Sequence, residues 1–293
     1  MLVFDIGGSH VSAAAYHRSA CRLGQVVSSP HPEALVDAFL DLLYRLGVEA
    51  LGEIPFAAGA ILAVPGPFDH GAGKSLMRHK LSFLYGIDLR RAISDRFGWE
   101  RDQVRFLKDA DACLLGEIQT GAARGFNRAV EFTLGTGIGS SFAVNGRIVS
   151  DDSDVPKEGE IWNQPYAGGI VEDFVSTRAI QSTYERLTGR RCEVVKLAAD
   201  ATADEAAKQA FEEFGRHLGR VIQELSLTFM PEVFVLGGGI SRSAHLFLPA
   251  VQREFRGRPL QLRISELQDL APLIGCGALS PGGAANSIHT DRI

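Results

Sequence analysis

At 293 residues, with 45% hydrophobic and 22% charged side chains, the chain can build a core without disulfide or metal staples. Its net charge of −5, with no run of Lys and Arg, argues against nucleic acid or an anionic membrane as a partner. The cysteines Cys21, Cys113, Cys192 and Cys276 form no C-x-x-C pair, which excludes the usual zinc and disulfide patterns and points to free thiols in a reducing compartment.

The first residues already read as a strand, without a basic start or a long apolar run, so the expected location is the cytoplasm. That strand ends at Asp5. Gly7, Gly8 and Ser9 make a tight turn, and residues 11–16 read as the return strand. Residues 32–46 carry Leu35, Phe39, Leu42, Leu43 and Leu46 at helical spacing, with Pro32 suited to the first turn and Gly47 to the helix end. Residues 57–64 are a continuous apolar run, the mark of a strand buried on both faces, and Pro65-Gly66-Pro67 stops it. Asp88 can cap a helix bearing Leu89, Ile93 and Phe97 that ends at Gly98. Residues 104–107 form a short buried strand, and a helix runs from Asp109 to about Gly121.

The second half repeats the theme. Residues 130–134 and 139–144 flank the turn Gly135-Thr136-Gly137, and Asn145-Gly146 signals a hairpin with residues 147–149 returning. Residues 151–159 read as a loop, residues 171–187 as a helix, and residues 204–229 as the clearest helix, with Phe211, Phe214, Leu218, Val221, Ile222 and Leu225 on one face. Residues 232–236 are a strand, followed by Gly237-Gly238-Gly239 and a helix capped near Ser241. The tail from Ser280 is small and polar. Alternating strands and helices give an α/β class. Two similar glycine turns suggest a duplicated domain.

Four constellations can carry chemistry. The turns at Asp5 to Ser9 and at Gly135 to Gly139 read either as phosphate loops or as plain hairpin turns; having one in each half favours phosphate. Gly237 to Gly239 suits a nucleotide or simply a strand-to-helix turn. Asp109 is either a carboxylate at a strand end or a helix N-cap, with Asp111 a first-turn acid. Glu158-Gly159-Glu160-Ile161-Trp162-Asn163, with Glu172-Asp173, suits sugar hydroxyls or is a solvated acidic loop. Gly71-Ala72-Gly73-Lys74-Ser75 imitates the end of a P-loop, but the first glycine is replaced by Phe68 and no buried strand leads into it, so it reads as a surface loop.

Taken together, seven ordered segments resemble the ROK family of sugar kinases (glucokinase, fructokinase and N-acetylmannosamine kinase types). They are Asp5-Ile6-Gly7-Gly8-Ser9, Val64-Pro65-Gly66-Pro67-Phe68-Asp69, Asp109 with Gly116-Glu117, Leu134-Gly135-Thr136-Gly137-Ile138-Gly139, Gly159-Glu160-Ile161, Glu172-Asp173-Phe174-Val175-Ser176, and Leu236-Gly237-Gly238-Gly239-Ile240-Ser241. The resemblance implies a two-domain actin-like ATPase (ribonuclease H-like) fold with a central cleft. The domains would be residues 1–112 and 113–271, with the tail 272–293 packing back on the first.

It also implies ATP and Mg2+ as cofactors. Asp5, Gly7, Gly8, Ser9, Gly135, Thr136, Gly137, Gly238 and Gly239 would contact the nucleotide, Asp5 reaching Mg2+ through water. Asp109 would be the catalytic base and would meet the sugar together with Gly66, Glu160, Asn163 and Glu172. A homodimer acting on a hexose or hexose derivative is implied, and a sugar-sensing regulator is the family's other activity. An ATPase of the same broad fold with a non-sugar substrate is a further reading, which Glu160 and Glu172 argue against. The chain departs from the family at Lys108, where Asn is usual, and at Trp162-Asn163, where Gly-His is usual. It also lacks the cysteine-rich segment after them, so no structural zinc is expected.

Overall fold

The computed structural model describes residues 1–54, 57–255 and 260–279; the small, polar tail from Ser280 lies outside the described residues. The chain divides into two units, Met1–Gly121 with the chain from Asp269 onward, and Ala122–Gln268.

In the first unit the opening apolar run forms β1 (Leu2–Ile6). Its turn leads to β2 (His10–His17) and then β3 (Arg22–Pro30), a strand with no strong sequence signal. Helix α1 (Val36–Leu51) buries Phe39, Leu42, Leu43 and Leu46. It runs straight through Gly47, the expected end, and stops at Gly52 with φ 54°. Gly47 is there for packing: a Cβ would sit 2.9 Å from the Phe97 ring and 3.0 Å from Leu2. β4 (Ala60–Val64) is wholly buried.

β5 (Phe68–Asp69) and β6 (Lys74–Ser75) then form a small hairpin, so the P-loop imitation at Gly71 to Ser75 leads into a strand and not a helix. The Arg90 guanidinium fastens its turn by donating to the carbonyls of His70 (2.8 Å) and Gly71 (2.5 Å). α2 (Leu89–Phe97) is capped by Asp88, whose carboxylate accepts from the Arg91 N–H at 2.9 Å, and ends at Gly98 in the left-handed region. β7 (Val104–Lys108) and α3 (Asp109–Thr120) complete the run. The sheet order is β3-β2-β1-β4-β7, with β1–β2 and β2–β3 antiparallel and β1–β4 and β4–β7 parallel.

The second unit has the same order and sense. Its sheet is β10-β9-β8-β13-β14, built from β8 (Arg128–Leu134), β9 (Ile138–Val144), β10 (Arg147–Ile148), β13 (Val233–Gly237) and β14 (Gln261–Ile264). β8–β9 and β9–β10 are antiparallel, while β8–β13 and β13–β14 are parallel. Asn145 (φ 52°) and Gly146 (φ 76°) make the two-residue turn expected of that pair.

Between the two parts of this sheet lie the β11 (Pro165–Tyr166) and β12 (Gly169–Ile170) hairpin, α4 (Val171–Phe174), α5 (Thr177–Thr188), α6 (Val194–Asp200) and α7 (Glu205–Thr228). The single helix expected over residues 171–187 is broken at Val175-Ser176, because the Ser176 hydroxyl accepts the Ala179 N–H and caps a new start. α7 begins where the Asp204 carboxylate accepts the N–H groups of Ala206 and Ala207 (2.9 and 3.1 Å), and all six expected apolar residues are buried. α8 (Ala244–Glu254) packs on it where Gly215 and Gly219 leave no room for a Cβ.

α9 (Ala271–Ala278) belongs to the first unit. Helices α3 and α9 cross closely enough that a Cβ on Gly275 would overlap the Ala112 carbonyl, and one on Gly116 the Ala271 carbonyl. This crossing keeps the whole of α3 in one unit, whereas the expected boundary after residue 112 would cut the helix.

Candidate active site

Because β1, β4 and β7 are parallel neighbours, their carboxyl ends lie side by side. Asp5 pairs in register with Ala63, and Val64 with Lys108. That edge of the first unit therefore carries Asp5, the turn of residues 7–9, Gly66 and Asp109. Ligands of open α/β sheets bind at such strand ends. Asp5 is half-buried, and its carboxyl is pushed up to about 7 by loss of hydration first, then by the negative charges of Asp109 and Asp269. Asp269, just before α9, is a member of this group that no local sequence signal marked.

Asp109 is the first residue of α3, and the N-cap position falls on Lys108, whose side chain makes no cap hydrogen bond. The N-cap reading of Asp109 is thus replaced by a first-turn position, where the helix dipole favours the ionised carboxylate. Asp111, two residues on, projects from a different face of the helix. Gly66 is exposed, with open space where a Cβ would be, and precedes a cis peptide bond to Pro67.

The two glycine turns share one closing device. The Gly7 N–H donates to the His10 carbonyl at 3.0 Å, and the Gly135 N–H to the Gly137 carbonyl at 3.0 Å. The N–H groups of Gly8, Ser9, Thr136 and Gly137 take no part in these closing bonds. Neither turn uses the left-handed backbone that glycine alone adopts easily; of the nucleotide candidates only Gly238 does, at φ 78°. A Cβ at Gly8 or at Gly135 would meet nothing within 4 Å, so the space beside both turns is open. The exposed space beside N–H groups is a cradle that suits phosphate oxygens. His31, unremarked in the sequence, braces the first turn: its Nε2 lies 2.8 Å from the Gly7 carbonyl oxygen and its backbone N–H donates to the Ser9 carbonyl at 3.0 Å.

In the second unit the turn of residues 135–137 leaves β8 beside the end of β13, where Gly237 pairs with Thr133. Gly238 crosses Leu134 so closely that a Cβ would lie 2.5 Å from its carbonyl oxygen. The Ser241 hydroxyl donates back to the Gly238 carbonyl at 2.7 Å. It therefore does not cap a helix, and a short 3-10 turn, Gly239–Ser243, precedes α8. Beneath Gly237 lies the buried carboxyl of Glu131, which periodicity alone marked only as part of a strand.

Of the predicted sugar residues, Glu160, Asn163 and Glu172 lie on one stretch of the second unit, whereas Gly66 and Asp109 belong to the first. The buried Ser140 hydroxyl donates to the Gly159 carbonyl (2.7 Å) and accepts the Ile161 N–H (3.1 Å), fixing the backbone on both sides of Glu160. The Glu172 N–H donates to the Trp162 carbonyl at 3.0 Å. The Glu172 carboxylate accepts the Ile138 N–H at 3.3 Å and occupies the place a Cβ on Gly137 would need. Asn163 is exposed. The β11–β12 hairpin is held by the Tyr166 hydroxyl, 2.9 Å from His217 Nδ1 on α7, with the Phe174 ring against the same imidazole. The structure thus brings Gly137, Glu172, Trp162 and Glu160 together, and separately Asp5 and Asp109.

The donor set suits a hydrated Mg2+. Asp5, raised by burial first and then by two neighbouring carboxylates, is a group whose residual repulsion a hydrated divalent cation would relieve, and Mg2+ needs only one or two carboxylates beside phosphate and water. Among the described residues no group of three or more His, Cys, Asp and Glu is placed to hold a metal directly, and residues 164–170 contain no cysteine.

Asp5 should make the stability of the fold depend on pH. A folded-state pKa above the ordinary value means that the native protein holds this proton more tightly than the unfolded chain. The stability it contributes is complete below about pH 4 and lost as pH rises through 7. Denaturant unfolding in EDTA should show wild type losing ground to Asp5→Asn between pH 4 and pH 8; parallel curves would mean that Asp5 titrates normally.

A sequence model of the ROK family matches residues 1–281. An N-acetyl-D-glucosamine kinase of Pectobacterium carotovorum is 23% identical over 83% of this chain and 85% of its own length. Among solved structures, the ROK hexokinase from Thermus thermophilus aligns with a TM-score of 0.78 at 24% identity, covering 94% of this chain and 97% of the hexokinase. A ROK family glucokinase from Streptomyces griseus, in complex with glucose and AMPPNP, aligns with a TM-score of 0.77 at 21% identity over 94% and 97% of the two chains. The fold class expected from the sequence, the actin-like ATPase type, is the one observed.

Proposed function

Since this chain belongs to the ROK family, we propose that it is an ATP-dependent kinase that phosphorylates a hydroxyl of a hexose or hexose derivative. The observation that carries the reading lies within the second unit: the sugar-directed carboxylate of Glu172 rests on Gly137 of a phosphate-type turn. Elements suited to the two reactants therefore share a contact.

In this reading the N–H groups of residues 8–9 and 136–137 take phosphate oxygens, and Gly238 and Gly239 meet the nucleoside side. Glu160, Glu172, Asn163 and Gly66 take sugar hydroxyls. A sugar hydroxyl is a poor nucleophile at neutral pH, and Asp109 accepts its proton as attack on the γ-phosphorus proceeds. Mg2+, held through water by Asp5, supplies charge neutralisation on the phosphates. Burial of Ser140, Ile161 and Val175 around the sugar segment keeps its carboxylates oriented before the sugar arrives, which limits the entropy lost on binding. The protein is further taken to be cytoplasmic, and a homodimer as the family resemblance implies.

Incubation with Mg-ATP and a panel of hexoses and N-acetylhexosamines tests it. ADP release that depends on one of these sugars is the expected result. Folded protein that binds a sugar yet releases no ADP would favour the sugar-sensing regulator instead.

A further inference from the structure

Trp162 is the large apolar side chain of the sugar segment, and it is 39% exposed. Single exposed apolar residues are ordinary on protein surfaces. This one differs because both of its ends are committed. Its indole N–H donates to Glu160 Oε2, and its backbone carbonyl accepts the N–H of Glu172 at 3.0 Å. The residue before it, Ile161, is 1% exposed and anchored by Ser140. The ring is thus tied to the Glu160 carboxylate by the only donor it has, while the backbone of its residue is tied to that of Glu172.

A pyranose ring has hydroxyls around its rim and C–H groups on its faces. An aromatic face beside a carboxylate matches both surfaces at once.

We infer that Trp162 is the specificity-determining wall of the sugar site, on which the C–H face of a pyranose stacks. By holding one oxygen of Glu160, the indole also reduces the number of hydroxyls that carboxylate can receive. The inference rests on the sugar-kinase reading and deepens it. It assigns this chain a way of reading sugar that uses a ring face as well as hydroxyl directions.

Trp99 and Trp162 are the two tryptophans of the chain, so a Trp99→Phe protein reports on Trp162 alone. Titrating it with the sugar panel in the absence of nucleotide should shift or quench the emission to saturation. Trp162→Ala should weaken sugar affinity by about tenfold, leaving ATP affinity unchanged. Trp162→Phe, which keeps a ring face and loses the N–H, should recover most of that loss. A sugar that is turned over while Trp162 emission stays still would overturn the inference, as would wild-type sugar affinity in Trp162→Ala or the absence of binding by any sugar. Saturable quenching without ADP release would support the wall and refute the kinase.

Discussion

Replacing Asp109 with Asn should lower kcat by about 10³-fold while ATP affinity stays within about twofold, because general-base assistance contributes roughly 10²–10⁴-fold and the proposed nucleotide contacts fall on other residues. Asn keeps the size and helical position of the side chain but cannot take up the hydroxyl proton. A second measurement on the same variant checks the geometry. After burial, Asp109 is the larger of the two carboxylate influences that raise Asp5, so neutralising it should bring the Asp5 titration down toward the ordinary carboxylate range. Asp111→Asn is the control. Its side chain leaves α3 on another face, and it should change kcat by no more than about threefold if it acts only as a first-turn acid. Turnover that survives Asp109→Asn and collapses in Asp111→Asn would transfer the role of base.

Gly137→Ala should reduce kcat/KM by about 10²-fold, the cost expected when a binding group is displaced by about an ångström. The added Cβ would occupy the space of the Glu172 carboxylate. That carboxylate is the far end of a half-buried side chain, so it can swing away, and the fold should keep its stability to within about 1 kcal/mol. Gly8→Ala is the informative comparison, since a Cβ there meets nothing within 4 Å. It should fold normally and lose nucleotide affinity only through crowding of the phosphate, without touching sugar affinity. Measuring KM for both reactants in the two variants, beside their melting temperatures, separates displacement of Glu172 from loss of the fold. Unchanged sugar KM and kcat in Gly137→Ala would remove Glu172 from the sugar site.

The repeated strand, turn and return strand were readable because each has a strong local cause: an apolar run, then glycines, then a second apolar run. So were the helices with caps of their own, such as the one started by Asp88 and the one started by Asp204. What escaped depends on neighbours distant in sequence. Gly47 looks like a helix end locally and is a contact for Phe97 and Leu2. Gly116 is explained only by the crossing of α3 with α9, more than 150 residues later. β3 carries a weak pattern because much of it is exposed at the sheet edge.

The site shows the same division. Asp5, Asp109 and both glycine turns fall at strand ends and could be placed from the sequence. Asp269, His31 and the seat of Glu172 on Gly137 are products of tertiary packing. Trp162 stood in the sequence near Glu160, but the tie of its indole to that carboxylate and of its backbone to Glu172 could not be read there.

The most direct measurement of the central claim is a ³¹P NMR spectrum of the protein with Mg-ATP and the sugar that quenches Trp162. Sugar-kinase activity requires a sugar monophosphate resonance to grow in step with ADP, and to be absent with Asp109→Asn. ATP consumed to ADP and inorganic phosphate alone, with the sugar unchanged, would contradict it.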